Sequence, residues 1–412
     1  MKNSILTNIF SMFSIQGVNY IIPLVTIPYL VRVLGLEVYG KYSIILSVLQ
    51  YLVIITDYGF NLSGSRQIAL SLNDKKKISK IFCAIIICKV IIAAISFFSV
   101  FLFMEYNGSY SAYVELFISG MGIVIGTSFF PVWLFQGYER MYWIAISNLF
   151  AKITGGILIF LLVHNNSDLN IAIIIQSCTC LISAGIALTT ARIGKFVYFL
   201  WPPLSEIKKQ LKLGWNIFLS TFFSSMYTTS IPLILGVNAG AEAVGVYNSA
   251  DKLKQALQGI IGPVSQAIYP RSSRLFSHSI KDGLSFVTKV SIFLCSFMFL
   301  CSAVGFFLSE YIVNLAFGAG HESSVSVLKI IIWIPSVVAV ANMLGVQIIL
   351  PMGLTKIFGM TYVVLGGIGL IIMYAASYYE SFIGVSYAAI LIEIIITVIF
   401  LAVIKKRIRG KE

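Results

Sequence analysis

The chain has 412 residues, 58% of them hydrophobic and only 11% charged, with a mean hydropathy of +0.93. Soluble domains carry about 25% charged residues, so a soluble enzyme or regulatory domain is excluded and an all-α integral membrane protein is expected. The net charge of +13 would suggest nucleic acid in a soluble protein, but here the basic residues fall between apolar runs. They report topology and attraction to the headgroups of membrane lipids, and nucleic acid is excluded as a partner.

A membrane-spanning helix needs about 20 mostly apolar residues, and about twelve runs qualify: 9–31, 42–64, 81–104, 114–135, 142–163, 171–190, 215–235, 244–268, 287–309, 324–349, 359–378 and 383–404. An even number puts both termini on one face. Lys75, Lys76, Lys77, Arg140, Arg192, Lys208, Lys209, Lys212, Arg271, Arg274, Lys356, Lys405, Lys406 and Arg407 fall on or near that face, whereas the other receives Arg32 and Lys41. Positive charge stays inside, so the first face and both termini are expected in the cytoplasm.

The first span runs on through Val31 without a small-residue cleavage site, so it is expected to stay in the membrane. Its prolines, Pro23 and Pro28, remove backbone hydrogen bonds and predict a bend; Pro232 predicts the same in span seven. Arg32 closes span one on the outer side. Span two carries Asp57 and Asn61, one helical turn apart and so on one face, and Arg66 follows its inner end. Two readings of Asp57 and Asn61 stand at this point, a polar clamp between helices or a contact with substrate.

Lys89 lies about 12 Å into span three and Lys152 about 15 Å into span five, at 1.5 Å per residue from the cytoplasmic ends. Lysines near span ends can reach the headgroups, which suits Lys89 and Lys329. Lys152 is the hardest to explain that way, because it sits near the middle of the apolar stretch 142–163. A cation there is expensive to keep in lipid and is expected to face a polar interior where an anionic group passes. Asp251 in span eight has Lys252 and Lys254 beside it and can be neutralised locally. Glu393 in span twelve reads as a carboxylate for ion coupling or as the partner of an intramembrane lysine.

The longest connection, around Trp201-Pro202-Pro203 with Lys208, Lys209 and Lys212, follows the sixth span. It divides the chain into a lobe at 1–200, a linker at 201–214 and a lobe at 215–412. The lobes read as copies: Ile27-Pro28 recurs as Ile231-Pro232, and Gly35, Glu37, Gly40 and Tyr42 recur at the same spacing as Gly240, Glu242, Gly245 and Tyr247. Six spans per copy predict two six-helix bundles related by a pseudo-two-fold axis along the membrane normal, as in two-lobed transporters.

No catalytic constellation emerges, and no enzyme, cofactor or metal is expected. There is no Gly-rich nucleotide loop and no Gly-x-Ser-x-Gly elbow, and His164, His278 and His321 lie on separate loops. Cys178-Thr179-Cys180 lacks a His or acidic partner at ligand spacing. The outer loops are short, which argues against a membrane-embedded glycosyltransferase, polymerase or ligase.

Several stretches together resemble the Wzx-type flippases of bacterial polysaccharide synthesis, within the multidrug/oligosaccharidyl-lipid/polysaccharide (MOP) exporter superfamily, over nearly the whole chain. They are Arg32-Val33-Leu34-Gly35-Leu36-Glu37-Val38-Tyr39-Gly40-Lys41-Tyr42, Asp57-Tyr58-Gly59-Phe60-Asn61 with Ser65-Arg66, Pro131-Val132-Trp133-Leu134-Phe135-Gln136-Gly137, Tyr247-Asn248-Ser249-Ala250-Asp251-Lys252-Leu253, and Tyr269-Pro270-Arg271-Ser272-Ser273-Arg274-Leu275. Leu36 stands where the family often has proline. The resemblance implies a MATE/MOP-like fold in the bacterial inner membrane. It implies translocation of an undecaprenyl-diphosphate-linked oligosaccharide, typically an O-antigen repeat unit, from the cytoplasmic to the periplasmic leaflet by alternating access. It also implies a polysaccharide polymerase and a chain-length regulator as neighbours.

The diphosphate is the hardest part of such a lipid to move through hydrocarbon, and fixed cations in a wet cavity lower that barrier. Lys152, with Lys89, Arg32 and Arg66, is therefore the expected surface for diphosphate or anionic sugars. Asp57, Asn61, Asp251 and Glu393 are candidates for ion coupling or structural polar contacts. The alternative is a cation-coupled multidrug exporter of the same superfamily, which predicts an acid-rich cavity.

Overall fold

The computed structural model describes residues 2–409, with side chains from Ile22 to Arg407 apart from Ser109, Asn216, Ser220, Ser224, Tyr227 and Thr228. Among the described residues every regular element is helical, as a backbone in hydrocarbon requires when each N–H and C=O must be satisfied within its own segment. Eight helical stretches among them are long and apolar enough to cross a membrane.

Two of these are too long to cross once. Ile22–Ala69 has 48 residues and Thr355–Arg407 has 53; at 1.5 Å per residue each would run to about 70–80 Å, over twice the hydrocarbon thickness. Each contains a break. In the Lys2–Asp57 helix the backbone leaves helical geometry at Gly35 (φ 74°, ψ 166°), inside the outer loop expected at 32–41. In Thr355–Arg409 it does so at Glu380 (φ −130°, ψ 17°) and Ser381 (φ 51°, ψ −134°), within the turn expected at 379–382. The chain folds back there: Phe358 stacks on Phe400 at 5.6 Å, Gly369 lies against Ile392, and Gly384 against the Ala376 carbonyl. The three pairs are nearly symmetric about residue 380, as an antiparallel pair demands.

The runs expected at 215–235 and 244–268 fall on more polar helices, Leu204–Thr229 with Ile231–Asn238 and Gly240–Gln258 with Ile261–His278. Pro23 and Pro28 lie within helical backbone that first breaks at Gly35. Pro232 stands in the first turn of Ile231–Asn238, where a missing N–H removes no helical bond.

The chain packs as two compact units, residues 42–225 and residues 1–41 with 226–412. These boundaries differ from the halves read from the repeat, 1–200 and 215–412. The reason lies in particular contacts. Leu204–Thr229 belongs with the first unit because Gln210 exchanges hydrogen bonds with Gln67 at 2.7 and 3.0 Å and Phe218 stacks on Tyr58 at 5.0 Å. The segment up to Lys41 belongs with the other because Gly40 and Gly245 meet Ala241 and Leu36.

In the 42–225 unit the core is Phe60, Ile81, Phe82, Trp133, Leu134, Phe135, Ala187 and Ala191, all at 0–1% exposure. Small residues bring its helices together, since lipid offers no hydrophobic drive for helix association. Gly122 and Gly126 of Met121–Phe129 lie against Ser177 and Cys180 of Leu169–Ile193, and Gly155 of Tyr142–Leu162 lies against Thr179. In the other unit buried hydroxyls and amides join the helices. Ser336 donates to Ser302 at 2.8 Å, Ser249 and Ser324 are 3.0 Å apart, and Gln347 donates to Ser265 at 2.9 Å.

The repeated glycines meet there reciprocally. A Cβ at Gly40 would overlap the carbonyl oxygen of Ala241, and one at Gly245 would overlap that of Leu36. Ala241 is the counterpart of Leu36 in the repeat spacing, so the two copies cross backbone to backbone about a local two-fold.

Candidate functional site

The Lys2–Asp57 helix ends where two successive residues turn left-handed, Tyr58 (φ 46°) and Gly59 (φ 76°), before the helix Phe60–Ala69 begins. Only glycine fits the second position. A Cβ on Gly59 would stand 2.7 Å from the Ile217 Cβ, and one on the facing Gly214 would stand 2.6 Å from the Tyr58 carbonyl oxygen. A non-glycine residue such as Tyr58 holds a positive φ only where its surroundings impose it. Here the imposing contacts are that close backbone approach and the stacking of Tyr58 on Phe218.

This break positions the polar groups. Asp57 and Asn61, expected to share one helical face, lie on either side of it, and both line a cavity of about 420 Å³ within the 42–225 unit. Lys89, from Lys75–Tyr106, lines it too and places its Nζ 2.9 Å from Asp57 Oδ1. The ammonium is enclosed, with 3% side-chain exposure against 26% for Asp57, and lies 4.5 Å from the centroid of the Trp133 ring. The rest of the polar lining is uncharged: Gln50, Thr56, Thr127, Asn148, Ser183 and Thr221. Ser183 donates to Asn148 Oδ1 at 2.8 Å. Thr56 Oγ1 and Asn61 Oδ1 are buried without a hydrogen-bond partner.

The other residues singled out in the sequence go elsewhere. Lys152 is half-buried on Tyr142–Leu162 and is not among the cavity's lining residues, although its charge acts on Cys180, which is. Arg32 is exposed, and its Nε donates to the Ala316 carbonyl at 2.8 Å while its terminal nitrogen donates to that of Leu315. It closes the last turn of Ser309–Phe317, where helices leave carbonyls unpaired. Arg66 is exposed on Phe60–Ala69. Asp251 is locally neutralised: its carboxylate accepts from Lys254 at 2.6 Å and from Gln255 at 2.6 Å. Lys252 and Gln255 line a smaller cavity of about 160 Å³ with Pro23 and Pro28. Glu393 is buried at 8% exposure, within electrostatic reach of Tyr362. Asp57, Asn61 and Lys89 are thus brought together, whereas Asp251 and Glu393 belong to the other compact unit.

Sequence reasoning passed over Gln50, Thr56, Thr127, Asn148, Ser183 and Thr221. The amides Gln50 and Asn148 were open to detection, since each stands inside an apolar run where an unpaired amide is costly. The hydroxyls were not, because a helical Ser or Thr can satisfy itself on its own backbone, as Thr127 does on the Ile123 carbonyl at 2.8 Å.

A family described as "Polysaccharide biosynthesis protein" matches residues 5–276. A relative from Escherichia coli strain K12, named "Putative O-antigen transporter", is 30% identical over 405 residues, covering 98% of this chain and 97% of that protein. Among solved structures, the lipid II flippase MurJ in an inward closed conformation superposes with a TM-score of 0.76 at 15% identity, over 96% of this chain and 87% of that one. An inward-facing multidrug resistance MATE family transporter of the MOP superfamily gives 0.70 at 14% identity, over 94% and 95%. At such identities the likeness is one of fold.

Proposed function

Because the chain belongs to the polysaccharide biosynthesis protein family and is a multi-pass membrane protein with the fold of the MOP transporters, we propose that it is a flippase for an undecaprenyl-diphosphate-linked oligosaccharide. It moves the O-antigen repeat unit from the cytoplasmic to the periplasmic leaflet of the bacterial inner membrane, with both termini in the cytoplasm. The name of the Escherichia coli relative supports this reading, and the distribution of basic residues supports the orientation.

The observation that carries it is the cavity beside Asp57. A pocket of about 420 Å³ whose amides, hydroxyls and one ion pair are set among Val53, Ile54, Phe130, Val132 and Ile144 offers hydrogen bonds and apolar faces together, which suits the two sides of a sugar ring. The prenyl tail has no need to enter it and can remain in lipid. Lys152, half-buried and acting on the lining residue Cys180, is proposed to meet the diphosphate. Arg32 and Arg66 are weaker candidates, because Arg32 already holds a helix end and Arg66 is exposed.

Complementation of a strain lacking its own O-antigen flippase tests this. Surface polysaccharide should return, and the lipid-linked unit should cease to accumulate in the cytoplasmic leaflet. Lys152→Ala should abolish display at unchanged membrane abundance, and full activity in that variant would overturn the diphosphate assignment. One observation favours the multidrug-exporter reading: the charged group most open to the cavity is the Asp57 carboxylate. Efflux of amphipathic cations by the same cells, without restored polysaccharide, would establish that reading instead.

A further inference from the structure

We infer that the cavity of the 42–225 unit selects an uncharged, hydroxyl-rich sugar unit and discriminates against sugars that carry a carboxylate. This rests on the flippase reading and names the class of passenger for the same site.

The argument concerns which end of the ion pair a ligand meets. Lys89 supplies the one cation among the lining residues. Its ammonium is held between Asp57 at 2.9 Å and the face of Trp133 at 4.5 Å, with 3% of the side chain exposed. It therefore offers an incoming anion almost no surface. Asp57, at 26% exposure, is the member that reaches the open space. Its Oδ1 is used by Lys89 and its Oδ2 has no partner among the described residues.

Close to that oxygen in sequence lie two further groups with unused capacity, Thr56 Oγ1, on a side chain 1% exposed, and Asn61 Oδ1. Buried polar atoms without partners are costly and are the places where a ligand's hydrogen bonds repay most. The carboxylate and the amide oxygen accept only, and the hydroxyl can accept as well as donate, so the complementary group is a donor. Sugar hydroxyls are such donors. A uronic acid instead brings a second carboxylate towards Asp57 in a low-dielectric space, where like charges repel and the one lining cation, Lys89, is already spent on Asp57.

The test uses purified full-length protein in lipid nanodiscs and two synthetic undecaprenyl-diphosphate trisaccharides that differ in one sugar, a hexose or the corresponding hexuronic acid. Calorimetric titration should give at least about tenfold tighter binding of the neutral probe, the effect of one unmatched buried charge or hydrogen bond. Asp57→Asn should raise the affinity for the acidic probe and bring the ratio near one. Thr56→Val keeps the side-chain shape and the Lys89–Asp57 pair, so it tests the site even if Asp57→Asn folds poorly. It should weaken the neutral probe by about fivefold to tenfold. Equal or tighter binding of the acidic probe by the unaltered protein would overturn the selectivity and leave the flippase reading standing. Binding of neither probe would overturn both.

Discussion

The pair Lys89–Asp57 makes an asymmetric prediction for its two single variants. At 2.9 Å the Coulomb attraction is about 6 kcal/mol with an effective dielectric constant near 20, and desolvation of the lysine removes a large part of it. Asp57→Asn leaves an uncompensated ammonium at 3% exposure, a situation that costs about 3–5 kcal/mol in buried pairs. Lys89→Met leaves a carboxylate at 26% exposure, which the cavity can solvate, and the unbranched apolar side chain, one atom shorter than lysine, still packs near Trp133; the expected loss is about 1–3 kcal/mol. The double variant should recover about 2–4 kcal/mol of the summed losses as coupling energy. Reversible unfolding of the protein in mixed micelles would measure each corner of this cycle. Strictly additive losses, or a Lys89→Met variant that is the more damaged of the two, would refute the enclosed-cation geometry on which the site rests.

Other outcomes follow from the backbone. Gly245→Ala and Gly40→Ala each force a methyl group onto a facing carbonyl oxygen and should lower stability by at least about 1–3 kcal/mol. Gly367→Ala, in the same long helix as Glu393 but with open space around its Cβ position, should instead raise it by about 0.5–1 kcal/mol; unfolding midpoints of the three variants would check the difference in sign. Ser381→Gly relieves a positive φ of 51° and should stabilise by about 1 kcal/mol in the same assay. Arg32→Met removes the donors to the Leu315 and Ala316 carbonyls, so amide hydrogen exchange in and just after Ser309–Phe317 should speed up while Phe60–Ala69 is unchanged.

The outline of the fold was legible because the signals are local. Apolar length marks the spans, and both double-length helices break inside loops already marked by polarity, at Gly35 and at Glu380–Ser381. The repeat of Gly35, Glu37, Gly40 and Tyr42 was legible as a spacing, and its physical purpose emerges only in three dimensions, where Gly40 and Gly245 let the copies cross. Pro23 and Pro28 stay within helical backbone because proline constrains φ to values a helix already uses. The freed carbonyl can be tolerated, whereas Gly35 at φ 74° cannot remain helical at all.

The site was legible in depth along each helix but not in direction around it. Residue counting gives a lysine's distance from the membrane surface, and by that measure Lys152, about 15 Å in, outranked Lys89. The cavity nevertheless takes Lys89, because the left-handed turn at Tyr58–Gly59 carries Asp57 to within 2.9 Å of it, and no one-dimensional pattern records that meeting. The same limit governs the cavity's charge. Counted along the first half of the chain, intramembrane bases outnumber acids and suggest a cationic surface. A passenger, however, responds to what is exposed, and enclosure of the ammonium between Asp57 and Trp133 turns a nominally basic region into one whose open charged group is a carboxylate, with an unpaired amide oxygen and hydroxyl buried in the same lining. The preference for donors over anions is therefore a property of the pair's orientation, and a substitution that reverses which member is exposed should reverse the preference without changing the net charge.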